Sequence, residues 1–303
     1  MSFRGVFSAA ATPLNADLTP DHGALAAHCR HLLDDGCHGI AMLGSTGEAN
    51  SFSLAERQDM LEAVVKAGIA PEALLPGTGL CALPETIALT RHALSLGVTK
   101  VVMLPPFYYK GVSDQGLFDA YAQVIDSVAD DRLRVVLYHI PPIAQVPLSH
   151  DLIARLCDRY PGIIAGVKDS GGQLDHMVSL ARNFPQLAIL AGADPLLLPL
   201  LQQGGSGCIT ATSNLAARQL RSVFDLYADP AAAGAVQAAQ DRIVALREAS
   251  NSFAQIPTIK AMVGRRYNAP GWRRMRPPLV ALSDAQASQL HAILDQVDAG
   301  NPA

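Results

Sequence analysis

Short runs of apolar residues alternate with longer amphipathic stretches through the first three quarters of the chain. Several runs are continuously apolar, such as residues 101–104 and 135–137. Such runs are typical of strands that are buried on both faces of a parallel sheet. We predict eight strands, which span residues 5–11, 39–43, 74–77, 100–104, 134–139, 163–168, 188–191 and 207–210.

The stretches between these runs have helical periodicity. Ser53 and Glu56 form a capping-box pattern at the start of one of them. The predicted helices span residues 22–34, 54–67, 84–96, 115–129, 149–160, 174–183, 195–203 and 216–227. Strict alternation of strands and helices predicts the α/β class and a (β/α)8 TIM barrel. An open doubly wound sheet is the alternative, but no GxGxxG follows the first predicted strand and no GxxxxGK(S/T) occurs in the sequence, so the usual nucleotide-binding motifs of that fold are missing.

The pattern changes at Asp229-Pro230, and beyond it the sequence predicts helices only. We expect three of them, over residues 231–250, 257–265 and 284–297. The prediction is therefore a barrel over residues 1–228 and a C-terminal helical domain over residues 229–303.

The composition excludes several classes of protein. The chain has 303 residues, of which 50% are hydrophobic and 17% charged, and its formal net charge is -4. This is enough apolar material for a large core, and the acidic balance argues against a nucleic-acid-binding protein. The 5 cysteines are widely spaced without a CxxC pair, which favours a reducing compartment. Since no run of residues is apolar enough to span a membrane, we expect a cytoplasmic protein.

Reactive residues of such barrels stand at the C-terminal ends of the strands. Among the lysines of this chain, only Lys168 ends an apolar strand. A lysine in a barrel mouth is costly as a cation, and its neutral amine is a nucleophile for carbonyl carbons. We therefore expect Lys168 to form a Schiff base with a carbonyl substrate, while an ion pair with Asp169 is the simpler alternative.

Two other strand ends have polar side chains. Tyr138 ends the strand before that of Lys168, and neighbouring strands lie roughly 5 Å apart. A phenol at that place can transfer protons, although a tyrosine packed in the core is the alternative. Ser45 and Thr46 lie between two glycines in a predicted tight turn, whose backbone N–H groups can bind a small carboxylate.

Together these motifs resemble the dihydrodipicolinate synthase and N-acetylneuraminate lyase superfamily, the pyruvate-dependent class I aldolases and lyases. The resemblance covers nearly the whole chain. The matching segments are 44–48 (GSTGE), 105–109 (PPFYY), 137–141 (LYHIP), 166–170 (GVKDS), 204–210 (GGSGCIT) and 276–278 (RPP). These motifs are specific for the superfamily and much less specific for the substrate.

The resemblance implies a role for each matching residue. Lys168 corresponds to the lysine that forms the Schiff base with pyruvate, and Tyr138 to the general acid/base. Ser45 and Thr46 correspond to the residues that hold the pyruvate carboxylate, with the Ser45 hydroxyl also in the proton relay. The backbone carbonyl of Ile209 corresponds to one that faces the substrate.

Family members also use a tyrosine that crosses a dimer interface to complete the proton relay. Tyr108 is the match for it, and Tyr109 is the alternative. The resemblance further implies a homotetramer, built as a dimer of dimers, with no metal and no organic cofactor.

Departures from the family pattern bear on the substrate. Synthases that make the lysine precursor have an arginine for the aldehyde's carboxylate where this chain has Ile143, which cannot form a charged, bidentate contact. Neuraminate lyases have an Asp-Glu pair where only Asp194 matches. Residues 105–110 and 166–170 are more similar to the same segments of aldolases and dehydratases of 2-keto-3-deoxy sugar acids than to those of the synthases or the neuraminate lyases. We place Ile143 and Asp194 among the substrate-binding residues.

Other functions fit the sequence less well. A metal-dependent aldolase needs converging ligands, and His139 is expected to point away from Tyr138 and to be packed rather than to bind a metal. A catalytically silent barrel that binds a small molecule would be expected to lack Lys168 or Tyr138. We predict a Schiff-base lyase that acts on pyruvate or on a 2-oxo acid of the 2-keto-3-deoxy sugar acid type. The alternative is a dihydrodipicolinate synthase that condenses pyruvate with aspartate semialdehyde.

Overall fold

The computed structural model describes residues 3–300 and contains a parallel sheet surrounded by helices. The strands pair in the order β2-β1-β7-β6-β5-β4-β3. They are β1 (Gly5–Ser8), β2 (Gly39–Ile40), β3 (Lys100–Met103), β4 (Arg134–His139), β5 (Ile164–Asp169), β6 (Ala188–Ala191) and β7 (Gly207–Thr210).

Residues 74–77 were predicted as the third strand. They close the barrel, but they form only isolated bridges and no regular strand. The first of them pairs with Ile40 of β2, and the last, Gly77, pairs with Val102 of β3, both in parallel. The Val102 N–H donates to the Pro76 carbonyl at 3.0 Å, but proline has no N–H with which to extend the ladder. The predicted (β/α)8 TIM barrel is therefore confirmed, with its third strand reduced to isolated bridges.

The first two strands are also shorter than predicted. The predicted second strand reaches residue 43, whereas β2 ends at Ile40. Leu43 has φ 58°, a left-handed conformation that an extended strand does not allow. The Met42 carbonyl still accepts from the Gly77 N–H at 2.9 Å, so the chain leaves the sheet at Leu43 and turns at the barrel mouth.

Helices surround the sheet and continue to the C-terminus. They are α1 (His22–Asp34), α2 (Leu54–Lys66), α3 (Leu83–Ser95), α4 (Asp114–Val128), α5 (Pro141–Ala144), α6 (His150–Arg159), α7 (Leu174–Asn183), α8 (Leu197–Gln202), α9 (Ser213–Leu226), α10 (Ala233–Ser250), α11 (Gln255–Arg266) and α12 (Asp284–Gly300). The predicted capping box is present at the start of α2, where the Ser53 and Glu56 side chains each bond the other's backbone N–H. Only α5 was not predicted, because four residues give no helical period.

Two apolar layers form the core, one inside the barrel and one between the sheet and the helices. Successive residues of a strand point to opposite sides, so each strand contributes to both layers. The inner layer includes Phe7, Val102, Val136, Leu190 and Ile209. Tyr138 belongs to the same layer, which places its phenol inside the barrel.

Helices α10, α11 and α12 form the predicted C-terminal appendage, and α10 packs against α9. A buried ion pair joins α11 to the turn after β2: Lys260 Nζ lies 2.6 Å from Glu48 Oε1, and both side chains are fully buried. The division into domains at residues 228 and 229 stays a prediction. Among residues 3–300, we find no helix that combines the length and the apolar character required to cross a bilayer.

Candidate active site

A cavity of about 480 Å³ opens at the C-terminal ends of the strands, within the size range of small-molecule sites. Six of the eight residues that we placed in the site line this cavity: Ser45, Thr46, Tyr138, Ile143, Lys168 and Ile209. The strand ends therefore bring together residues that are far apart in the sequence.

Lys168 and Tyr138 are neighbours across β5 and β4. They are register partners in the parallel ladder, and Lys168 Nζ lies 4.1 Å from the centroid of the Tyr138 ring. Their exposed fractions are only 6% and 4%. Register partners point to the same face of a sheet, so the amine and the phenol share one water-poor space.

Asp169 does not pair with Lys168, the simpler alternative for that lysine. Being next along β5, its side chain points to the other face of the sheet. There its two oxygens bind the Gly171 N–H at 2.7 Å and His176 Nδ1 at 2.6 Å. The Lys168 amine is thus free of this neighbour.

The environment of Tyr138 favours loss of its proton. Burial alone would raise the pKa of the phenol, but the positive charge of Lys168 and the hydroxyls of Ser45 and Ser170 outweigh burial. The pKa of Tyr138 is consequently below its ordinary value of 10.0. A phenol of this kind is more readily a base near neutral pH than a free tyrosine is.

We expect this shift to be visible in an ultraviolet titration of tyrosinate. In the wild-type protein, one phenol should ionise at lower pH than the others, because its anion is stabilised in the folded state. The Tyr138→Phe variant should lack that early step and keep the later ones. An identical titration of the two proteins would contradict the assignment.

The turn after β2, residues 44–48, forms a cradle at the mouth. Gly47 is needed there, because a Cβ would lie 2.8 Å from the Ala10 carbonyl oxygen. Thr12 Oγ1 donates to the Gly47 carbonyl at 2.8 Å and fixes the turn. Within residues 3–300, no group accepts a hydrogen bond from the Ser45 or Thr46 backbone N–H. The turn therefore has two unused backbone donors in residues that line the cavity, which suits an anion site.

The remaining predicted residues have different surroundings. Ile209 is fully buried on β7, while Ile143 on α5 is 68% exposed at the rim of the cavity. Asp194 is completely buried beneath the cavity and does not line it, and burial raises the pKa of its carboxyl group. Tyr108 and Tyr109 lie in the loop after β3, 73% and 71% exposed, and do not line the cavity either.

Three polar residues that line the cavity were not predicted from the sequence. Ser170 follows β5, while Arg247 and Gln255 come from α10 and α11 and reach the cavity from the C-terminal appendage. Ser170 stands within the 166–170 motif, so the strand-end rule could have found it. No local pattern marks the other two, because only the packing of the appendage brings them to the mouth.

His139, Asp169 and His176 place one ligand atom each within 4.8 Å of one another, as a metal site would. However, hydrogen bonds already engage most of these atoms. His139 Nδ1 accepts from the Leu148 N–H at 3.1 Å, and both Asp169 oxygens have partners. The His139 ring stacks on that of His176, with centroids 4.8 Å apart. We treat this cluster as a packed hydrogen-bond network on the outer face of the sheet, where His139 was expected.

Comparison with known proteins identifies the family of this chain. The sequence model of the dihydrodipicolinate synthetase family matches residues 2–297. A protein of Chloroflexus aurantiacus named an uncharacterized DapA-like lyase is 37% identical over 298 residues, covering 98% of each chain. The 4-hydroxy-tetrahydrodipicolinate synthase of Corynebacterium urealyticum is 33% identical over 299 residues, covering 98% of this chain and 95% of its own.

A solved structure is similar along the same length. It is a prophage protein of the dihydrodipicolinic acid synthase family from E. coli K12, in complex with pyruvate, with a TM-score of 0.89 and 26% identity. The alignment covers 98% of this chain and 99% of that one. With a family match over almost every residue and the same fold, this chain belongs to the dihydrodipicolinate synthetase family.

Proposed function

We propose that this chain, a member of a family of lyases and aldolases, is a class I lyase whose Lys168 forms a Schiff base with pyruvate or another 2-oxo acid. The observation that most supports this is the register pairing of Lys168 with Tyr138 inside one cavity, the amine 4.1 Å from the ring centroid. The pyruvate complex of the similar E. coli protein supports the choice of a 2-oxo acid. Lys168 supplies the electron sink itself, without an external cofactor.

The geometry fits the following reaction. The Lys168 amine attacks the C2 carbonyl carbon, and the resulting carbinolamine loses water as the carbon–nitrogen double bond forms. Tyr138 then accepts the C4 hydroxyl proton while the C3–C4 bond breaks, and the bonding electrons move to the imine and leave an enamine. An aldehyde departs, C3 takes up a proton, and one water hydrolyses the imine to pyruvate and free Lys168. The reverse sequence is a condensation, and loss of the C4 hydroxyl as water instead would make a dehydratase.

The turn after β2 has the donors to hold the substrate's first carboxylate. Ser45 and Thr46 line the same cavity as Lys168, and their backbone N–H groups are unused among the residues described. Charge-assisted bonds there would orient the keto carbon toward the amine.

For the second half of the substrate, we favour 2-keto-3-deoxy sugar acids. Ile143 at the rim offers no charge to an aldehyde's carboxylate, which argues against aspartate semialdehyde at that place. The synthase reaction stays the alternative, because a relative with 33% identity is named 4-hydroxy-tetrahydrodipicolinate synthase.

Borohydride trapping with pyruvate tests the proposal. Reduction should fix a pyruvyl adduct that peptide mapping locates on Lys168. Lys66, exposed at the end of α2, should stay unmodified and serves as the internal control. A folded protein that yields no adduct at several pH values would rule out the Schiff base.

We also propose a homotetramer in which Tyr108 enters the cavity of a neighbouring copy. Its ring is 73% exposed and is stacked edge-on against Tyr109 with centroids 5.3 Å apart, so both phenols are available to a partner. We expect Tyr108→Phe to slow turnover by about 10²-fold, as loss of a proton-relay group does, and Tyr109→Phe to have little effect. Steady-state kinetics with analytical ultracentrifugation would check this. The opposite ranking would assign the role to Tyr109, and a monomeric active enzyme would refute the shared site.

A further inference from the structure

The cavity contains positive groups at two places and no acidic side chain. Among the described residues that line it, Lys168 and Arg247 are the cations, and none is an aspartate or glutamate. Lys168 stands at the end of β5 and Arg247 on α10, so the two positive groups reach the cavity from different elements, one in the barrel and one in the C-terminal appendage. A cavity of this kind favours a substrate with more than one negative group.

Gln255 holds Arg247 in place. With its amide turned so that the carbonyl faces the guanidinium, the Gln255 oxygen accepts from the two terminal nitrogens of Arg247 at 2.6 and 3.1 Å. Arginine has more N–H donors than these two contacts use. The remaining donors are available at the cavity wall, where the Arg247 side chain is 22% exposed.

Asp194 does not fully satisfy Arg247. Its Oδ2 lies 3.7 Å from Arg247 Nη1, which is too long for a hydrogen bond. Both Asp194 oxygens lack a hydrogen-bond partner among the residues described. The carboxyl group therefore takes up no hydrogen-bond donor of the guanidinium, and the donors that Gln255 does not use remain available.

On this basis we propose that Arg247, positioned by Gln255, binds a second carboxylate at the far end of the substrate. The substrate class is then a 2-keto-3-deoxy sugar acid with a carboxylate at each end, whose first carboxylate occupies the Ser45 and Thr46 turn. This inference rests on the proposed Schiff base at Lys168 and adds the chemical group at the far end of the substrate. Arginine suits the role because its planar fork matches a carboxylate in two parallel hydrogen bonds.

The test compares two ligands that differ only at that end. 2-Oxoadipate and 2-oxohexanoate both have six carbons and no hydroxyl to eliminate or cleave, but only the first ends in a carboxylate. Borohydride trapping, followed by intact mass against ligand concentration, gives a half-saturating concentration for each. We expect 2-oxoadipate to half-saturate wild-type protein at about 10- to 100-fold lower concentration, the usual effect of a charge-assisted contact. Pyruvate is trapped in parallel.

Variants then show which residue causes the preference for 2-oxoadipate over 2-oxohexanoate. Arg247→Met should abolish it while pyruvate trapping continues, which also shows that the variant is folded. Arg247→Lys keeps the charge without the fork and should keep a smaller preference. Arg182→Met removes a cation from α7 outside the cavity and should leave the preference unchanged, so it controls for net charge.

The outcomes separate this inference from the proposed function. If pyruvate is trapped but the two six-carbon acids half-saturate equally, the second carboxylate site is wrong and the Schiff base stands. If Arg247→Met or, should that variant not fold, Arg247→Lys keeps the full wild-type preference, another group binds the carboxylate and the inference fails. If pyruvate itself is not trapped, the proposed function is wrong, and the second carboxylate site, which rests on it, is wrong as well.

Discussion

Lys168→Met should remove the covalent chemistry altogether. The variant retains the length and apolar stem of the side chain but has no amine, so neither carbinolamine nor imine can form. We expect no borohydride-trapped adduct with pyruvate and a turnover at least about 10⁴-fold below wild type, since a missing nucleophile disables the whole catalytic group. Intact mass and a lyase assay on the same preparations would measure both effects.

Two other variants make this result specific. Lys66→Met replaces an exposed lysine on α2 and should trap and turn over normally. Tyr138→Phe should still form the adduct but react about 10²- to 10⁴-fold more slowly, because it loses only the proton-transfer group. If Lys168→Met kept normal turnover, the imine mechanism would be refuted.

The buried pair of Lys260 and Glu48 should give the largest stability effect. Burial lowers the pKa of Lys260, and the attraction of Glu48 only partly opposes this, so desolvation dominates the pair. Lys260→Met would leave the Glu48 carboxylate fully buried without its cation. We expect the free energy of unfolding to fall by about 3–5 kcal/mol. Chemical denaturation at one fixed protein concentration would measure it, since oligomers unfold in a concentration-dependent way.

Two further variants serve as controls for this loss of stability. Adding Glu48→Gln to Lys260→Met removes the stranded charge and should recover more than half of the lost stability. Asp225→Asn breaks a surface ion pair with Arg221, in which the Arg221 side chain is 41% exposed and the Asp225 side chain 43%. This variant should change the free energy of unfolding by less than about 1 kcal/mol. A loss as small for Lys260→Met as for Asp225→Asn would show that the turn does not depend on the pair.

Local chemistry explains which elements the sequence could predict. The bounds of α1, α7, β4, β6 and β7 agree with the predicted ones. The helices among them have a clear helical periodicity of apolar residues, and the strands are continuous apolar runs that end at a polar residue or a glycine. The third strand was predicted from its apolar residues alone, but Pro76 cannot donate to a ladder, and its hydrogen bonds are reduced to bridges.

Some residues of the candidate site could likewise be predicted from the sequence, and others could not. Lys168 and Tyr138 could be placed together from sequence, because adjacent strands of a barrel bring their ends to one rim. Asp194 was expected to bind substrate, but it is fully buried in the turn after β6 and does not line the cavity. Arg247 and Gln255 could not be found, since helix periodicity says nothing of what an appendage packs against.

The bond between Lys260 and Glu48 also constrains the order in which the molecule can be completed during translation. The two residues are 212 positions apart, so every strand emerges from the ribosome well before the lysine does. Until then Glu48 has no cation to accompany it into the interior, and it favours solvent or a proton. The turn after β2, which contains Glu48, should therefore reach its final form only after synthesis passes residue 260. A chain truncated before that residue would retain Lys168 yet lack the ion pair that supports the turn beside the cavity.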